Sequence, residues 1–484
     1  MEHDLELPSD SLLTAPETVL QLGFGKFLRG FATDFVQLAN KSGDYHGRIL
    51  SVQRKADYRS EIAARQDSLY TLILRGFEGG RIKEVKRIIG SVSRVLVAET
   101  DWGAVLKTIR ERTVRVILSN GTETGLSLDE ADNLNDRPPN SLPAKIAQLL
   151  YERWRSTGGE DSDVAVIPTE LVANNGQLLR QLLFEQADRW CLETEFFRWM
   201  ENSVHVANTL VDRIVVGTPV GDDLESDCRS LGYRDDLVTH GELFYLFVIA
   251  ADEFTKRIFP INLSQPNIRF VEDLVPFRKR KLRLLNGPQM VLTTLGTLLD
   301  FRLIRDVIKD CQIGEFTRQT ILEEILPAMG TQDEAVNAEY AHDSFARIGN
   351  PNIAHRLGGI RVDLTAKNSI RLLPSIRDFI DLRKQLPSRL LLTLAAMLEV
   401  VVRGELNDVH SGYLLQKWRL TDSLDRGSLL AFTSETLSYL ATQCGEALDV
   451  DLVAPEVSLL FAEIRAEGLR KVLSDRYSII EHDE

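Results

Sequence analysis

Thr18-Val19-Leu20-Gln21-Leu22-Gly23-Phe24-Gly25-Lys26-Phe27-Leu28-Arg29-Gly30 is the stretch that decides how this chain is read. Thr18 to Leu22 has the length and apolar content of a strand buried on both faces, Gly23 and Gly25 supply a tight turn, and a helical pattern follows from Phe31 to Asn40. A glycine turn between strand and helix lets the backbone approach a pyrophosphate, with helix N-terminal amides facing its charge. Gly30 falls two residues later than in the usual G-x-G-x-x-G spacing. The motif alone therefore does not separate a dinucleotide site from an ordinary strand-turn-helix corner.

Arg48 to Gln53, Val114 to Ser119 and Val164 to Pro168 are further apolar strands, separated by helical patterns. The second of these ends in Asn120-Gly121-Thr122-Glu123, the third in Thr169-Glu170, with Asn174-Asn175-Gly176 before an amphipathic helix. Such alternation predicts a parallel, doubly wound sheet. Beyond about residue 274 strand patterns become scarce, and helical periodicity dominates in Ile304 to Ile313, Arg318 to Leu326 and Leu390 to Arg403. The expected fold is α/β, with a Rossmann-type doubly wound domain over residues 1–273 and a mainly α-helical domain over residues 274–484. Leu126 to Ser141, with Pro138-Pro139, reads as an ordered surface excursion.

At 484 residues and 44% hydrophobic, the chain exceeds the size at which one core keeps growing. A net charge of −14 argues against nucleic acid or an anionic membrane as partner, because most of the surface would repel either. Cys191, Cys228, Cys311 and Cys444 form no CxxC pair, so neither a zinc ribbon nor a disulfide framework is suggested. The acidic N-terminus (Glu2, Asp4, Glu6, Asp10) lacks signal-peptide character, and no apolar run approaches the roughly 20 residues of a membrane span. A soluble cytoplasmic protein, monomeric or a small homo-oligomer, is the expectation.

In a dinucleotide-binding domain an Asp or Glu at the end of the second strand holds the adenosine ribose. Here that strand ends Val52-Gln53-Arg54, which leaves NAD and NADP both open. The chemistry-bearing run is Arg278-Lys279-Arg280-Lys281-Leu282-Arg283-Leu284-Leu285-Asn286-Gly287-Pro288-Gln289. Carbonyl reduction needs a proton donor beside the forming alkoxide and dipoles that stabilise its charge, and a lysine with amides provides both. On one continuous helix Gln289 falls between Lys281 and Asn286 on one half of the surface, and Lys281 sits beside Leu285, Leu292 and Leu295. Burial and the neighbouring Arg280 and Arg283 ease proton loss from an ammonium, so Lys281 is the candidate acid/base. Pro288 either kinks that helix or lies in the first turn of one capped by Asn286. The alternative is a solvated basic patch before a helix.

These features resemble the mannitol dehydrogenase family of polyol-specific long-chain dehydrogenases, with its uronate reductases. The family motif Lys-x4-Asn-x2-His is met at Lys281 and Asn286, while Gln289 stands in place of histidine. The likeness runs from Gln21 to about Pro374. It is carried by Gln21 to Arg29, Ser119 to Glu123, Asp136-Arg137-Pro138-Pro139, Asn208 to Ile214, and Asn350-Pro351 with His355 and Lys367. The resemblance implies a Rossmann-type domain whose cofactor contacts are Gly23, Phe24, Gly25, Lys26, Phe27, Ser119 and Asn120. It also implies metal-free, NAD-dependent interconversion of a small keto-sugar acid and its alditol-type acid, NADP not being excluded. Lys281 would be the acid/base, Asn286 and Asn175 the oxyanion pair, and Asp212, Arg213 and Lys367 candidates for substrate binding or for orienting Lys281. Glu170-Leu171 replaces the family's Asp-Asn pair, as in uronate reductases. Gln289 can hydrogen-bond but cannot titrate, and the rival readings are a related fructuronate reductase, a mannitol or other polyol dehydrogenase, or a weakly catalytic dinucleotide-binding sensor.

Overall fold

The computed structural model describes residues 5–78, 81–121, 125–351, 355–404, 406, 408–421 and 425–477. Thr122 and Glu123 of the family segment lie outside the described residues. The chain separates into two compact units, Met1–Phe277 and Arg278–Glu484.

The first unit is built on six parallel strands: β1 (Glu17–Leu22), β2 (Arg48–Gln53), β3 (Val92–Val97), β4 (Val116–Ser119), β5 (Val164–Pro168) and β6 (Val204–Val206). Their order across the sheet is β3-β2-β1-β4-β5-β6, that of dinucleotide-binding sheets. Side chains alternate between two covered faces. Val19, Ile49, Val116, Leu118 and Ile167 pack with the helix Ala32–Ser42, whereas Leu20, Leu50, Val52 and Ile117 pack with the helices Ala98–Ile109 and Leu142–Thr157. Burial on both faces is why these strands read as unbroken apolar runs. Where the sequence suggested one helix from Phe31, a short helix Lys26–Arg29 precedes Ala32–Ser42.

Two smaller sheets complete this unit and have no counterpart in the sequence reading. One has five strands, in the order Leu5–Glu6, Arg81–Ile89, Tyr70–Glu78, Thr239–Glu242, Val215–Gly217; the other has three, Asn208–Asp212, Leu246–Ala250 and Ile268–Val271. Several of their strands are short and pair over long separations, as where Thr239 to Glu242 runs beside Leu72 to Arg75. Local periodicity carries little of that pairing.

Among the described residues of the second unit the regular elements are helices, packed on one apolar core that includes Leu284, Leu285, Leu292, Leu295, Ile325, Leu372 and Leu391. The helix expected across Ile304 to Ile313 is broken at Asp310, whose carboxylate accepts the Ile313 N–H at 3.0 Å and caps a new helix, Cys311–Thr320. Two π-helical turns, Leu282–Asn286 and Ile321–Ile325, each lie just before a proline, Pro288 and Pro327, in the first turn of the next helix. Proline has no N–H to return to residue i−4, so the chain widens there at low cost. No described helix is long and apolar enough to cross a membrane.

Candidate active site

Strands β1, β4 and β5 finish in register, with Leu22 beside Ser119 and Ser119 beside Pro168. Gly23, Asn120 and Thr169 therefore leave the sheet next to one another. Gly23 has φ +132°, a conformation that side chains rarely adopt, and its N–H donates to the Val52 carbonyl at 2.9 Å. Gly25 starts the helix Lys26–Arg29, and a Cβ added there meets no atom within 4 Å. Gly30 has a different job, since a Cβ there would lie 2.8 Å from Val215 Cγ1; it allows close packing. Phe24 is buried edge-on against Tyr70 and Phe27 stacks on Phe31. The Phe24 ring is thus packed against protein, while Phe27 stays half-buried. Lys26 is exposed.

Behind the turn lies a cation that sequence reading passed over. Arg29 is buried and donates to the Phe24 carbonyl (3.0 Å), Thr239 Oγ1 (3.1 Å) and Thr218 Oγ1 (3.1 Å), and burial lowers its pKa. At the carboxyl end of β5 the side chain of Glu170 is buried. Its carboxyl accepts the Gly121 N–H at 2.8 Å and the Ser119 hydroxyl at 3.2 Å, and burial pushes its pKa up. Asn120 Nδ2 donates to both oxygens of Thr169, each at 3.1 Å. The position of Thr169-Glu170 directly after an apolar strand was the available signal, because ligands of open α/β sheets bind at the carboxyl ends of strands.

Two of the expected site residues have their polar atoms engaged within the first unit. Asn175 is buried, and its amide donates to the Glu170 carbonyl and Thr209 Oγ1, both at 3.0 Å, while its oxygen accepts the N–H groups of Gly176 and Thr209, both at 2.9 Å. With each of its polar atoms engaged, this amide braces the loop after β5. Arg213 is equally committed. It pairs with Asp34 at 2.8 Å, both side chains being almost fully buried, and donates to the carbonyls of Gly30 and Glu242. That guanidinium ties distant segments of the first unit together. Asp212, its neighbour on the strand Asn208–Asp212, is also buried.

The second unit carries the lysine and amides. The helix Val275–Lys281 passes into the π-helical turn Leu282–Asn286 and then into α1 (Gly287–Leu298). Five residues of ordinary α-helix rotate by about 500°, leaving the two ends roughly 140° apart. In an i→i+5 turn, shown here by the Gly287 N–H donating to the Leu282 carbonyl, residues five apart come close to alignment instead. Lys281 and Asn286 thereby share a face. Lys281 is buried, and Asn286 Nδ2 donates to Gln289 Oε1 at 3.0 Å.

The surrounding cations are not a solvated patch. Arg283 pairs with Asp378 at 2.8 Å, Lys279 with the same carboxylate at 3.8 Å, and Arg280 with Asp333 at 3.3 Å and Asn337 at 2.8 Å. The run anchors its helix to neighbouring elements, so its value as a store of positive charge for a substrate is small. Lys367 Nζ donates to the Ile360 carbonyl at 3.2 Å. His355 and Asn350 lie in the same unit.

A Rossmann sheet with an open glycine turn, followed by a helical unit presenting lysine and amide on one face, defines a two-unit oxidoreductase acting on a CH–OH group. The chain belongs to the mannitol dehydrogenase family: the model of the mannitol dehydrogenase Rossmann domain matches residues 17–262 and that of the mannitol dehydrogenase C-terminal domain matches 273–407. It is 32% identical to an altronate oxidoreductase of Bacillus subtilis (strain 168) over 466 residues, 96% of each chain. An altronate oxidoreductase of Halalkalibacterium halodurans is 35% identical over 386 residues, 79% of this chain and 75% of that one. Among solved structures, Pseudomonas fluorescens mannitol 2-dehydrogenase, in a ternary complex with NAD and D-mannitol, superposes with a TM-score of 0.75 at 20% identity, covering 98% of this chain and 96% of that one.

Proposed function

We propose that this protein interconverts a keto-sugar acid and its alditol-type acid, tagaturonate and altronate, with a nicotinamide dinucleotide as hydride carrier and Lys281 as the acid/base. The observation that carries this reading is the π-helical turn, which puts Lys281 and Asn286 on one face and leaves Gln289 holding the Asn286 amide. The altronate oxidoreductases at 32% and 35% identity support the choice of substrate.

The turn at Gly23 and Gly25 fits a dinucleotide: the open space over Gly25 is what a pyrophosphate needs, and a side chain would fill it. Gly23 to Phe27 would hold it through their backbone, with Ser119 and Asn120 at the adjoining strand end. A dinucleotide held there would supply hydride exchange with the carbonyl carbon. In the reducing direction Lys281 Nζ donates a proton to the carbonyl oxygen; in the oxidising direction it takes the hydroxyl proton. Asn286 has two amide hydrogens, and with one held by Gln289 the other serves the oxygen that gains charge. Lys367 and Asp212 remain the candidates for substrate binding, Lys367 for the carboxylate and Asp212 for a hydroxyl.

The test is oxidation of NADH and NADPH, each followed at its absorbance maximum, with tagaturonate, fructuronate and fructose in turn. Turnover highest with tagaturonate supports the proposal. Turnover highest with fructose makes the chain a polyol dehydrogenase, and no turnover in any combination overturns catalysis on keto-sugars.

A further inference from the structure

The helical unit contains a cavity of about 320 Å³ at the far end of α1, lined by Thr297, Asp300, Phe301, Arg302, Arg356 and Arg361 among others. Three arginines converge there in a protein whose net charge is −14. Unlike the basic run near Lys281, the side chains of Arg302, Arg356 and Arg361 have no hydrogen-bond or ion-pair partner among the described residues. The same holds for the Asp300 carboxylate.

Their closeness is imposed by backbone. Leu303 bridges antiparallel to Arg356, the Leu357 N–H donates to the Arg302 carbonyl at 2.9 Å, and the Ile304 N–H donates to the His355 carbonyl at 3.1 Å. Arg361 follows one helical turn on, its N–H donating to the Leu357 carbonyl at 2.9 Å. Like charges held together repel one another unless a counter-charge joins them. Here the formal sum is three guanidiniums less one carboxylate, leaving two positive charges to be met.

We propose that this cavity binds a small phosphomonoester, its dianionic phosphoryl group held by Arg302, Arg356 and Arg361. Guanidinium forks match phosphoryl oxygens in pairs, and a net charge of two matches the dianion. Phe301, Leu357 and Thr297 provide an apolar wall with one hydroxyl, and the volume is at the lower end of small-molecule sites, suited to a ligand of sugar-phosphate size. The cavity is separate from the lysine site: the eleven residues from Asn286 to Thr297 span roughly 16 Å of helix, beyond the reach of one hexose-sized substrate. The proposal is independent of the reaction assigned to Lys281.

Titration calorimetry on the full chain tests it, with inorganic phosphate and fructose 6-phosphate as probes and fructose as the neutral control. Both phosphoryl probes should bind and fructose should not. Arg302→Ala, Arg356→Ala and Arg361→Ala should each weaken binding about tenfold or more, as loss of a charge-assisted contact does. Asp300→Asn should tighten it, and Arg419→Ala, at an exposed site elsewhere in the unit, should leave it unchanged. Absence of binding by both probes overturns the proposal. So does equal binding by the triple alanine variant, which would place phosphate at another site, the glycine turn included. Should the triple variant not fold, the exposed Arg302→Ala alone decides the matter by the same criterion.

Discussion

Asn286 donates its amide N–H to Gln289 Oε1 at 3.0 Å, one turn along the helix that follows Lys281. On the proposed mechanism this bond gives Gln289 a positional job, orienting the amide offered to the reacting oxygen. A histidine can offer a ring nitrogen to the same N–H, so Gln289→His should change turnover by less than about tenfold, whereas Gln289→Leu, which can accept nothing, should lower kcat by about 10–100-fold. Steady-state kinetics on both variants checks this. A gain of a hundredfold or more in Gln289→His would mean that a titrating group was missing from the native site.

Lys281→Ala should lower reduction at neutral pH by about 100-fold or more while leaving dinucleotide affinity unchanged, the scale expected for losing a positioned acid. Rate and cofactor binding are measured separately, by stopped-flow absorbance and fluorescence titration. Near-normal turnover would remove Lys281 from the chemistry.

The glycines of the turn separate binding from folding. Gly25→Val adds atoms where a Cβ meets nothing within 4 Å of protein, so the variant should fold normally and bind dinucleotide at least tenfold more weakly. Gly30→Val adds them 2.8 Å from Val215 Cγ1, so it should lower the denaturation midpoint, by about 1–3 kcal/mol of stability. The reverse assignment of the two effects would mean that Gly30, and not Gly25, faces the ligand.

Arg213→Met tests the buried ion pair. Removing it leaves Asp34 with Arg87 as its remaining ionic partner, and the expected loss is about 3 kcal/mol in urea denaturation. If stability is unchanged and only the KM for the sugar acid rises, Arg213 is a substrate contact after all.

Glu324 makes stability depend on pH. Its carboxyl accepts the N–H groups of Arg389 and Leu390, each at 2.8 Å, at the start of the helix Ser388–Val402, and burial raises its pKa from 4.5 to about 7. A raised carboxyl means that the folded state holds the proton more tightly. The associated stability is fully present below the ordinary value and is lost as pH rises through about 7. The advantage of the native protein over Glu324→Gln should therefore shrink between pH 5 and pH 8. A difference that stays constant across that interval would rule out the titration.

The sequence alone determined the Rossmann unit and the helical unit, because the strands flanking Gly23 are buried on both faces and announce themselves as apolar runs, and because helical periodicity is local. It also determined the chemical run itself: Lys281, Asn286 and Gln289 stand within nine residues of one another. Only the tertiary structure decided what each group is free to do. Asn175 and Arg213 have the residue types of a site, and in the fold they also hydrogen-bond to Thr209 and, across 179 positions of chain, to Asp34. The cations of the basic run are engaged by Asp378 and Asp333, while Arg302, Arg356 and Arg361, unremarkable in sequence, are brought together by one backbone bridge. Residue chemistry can be read along a chain, but whether a polar group is already satisfied depends on partners that folding brings from far away.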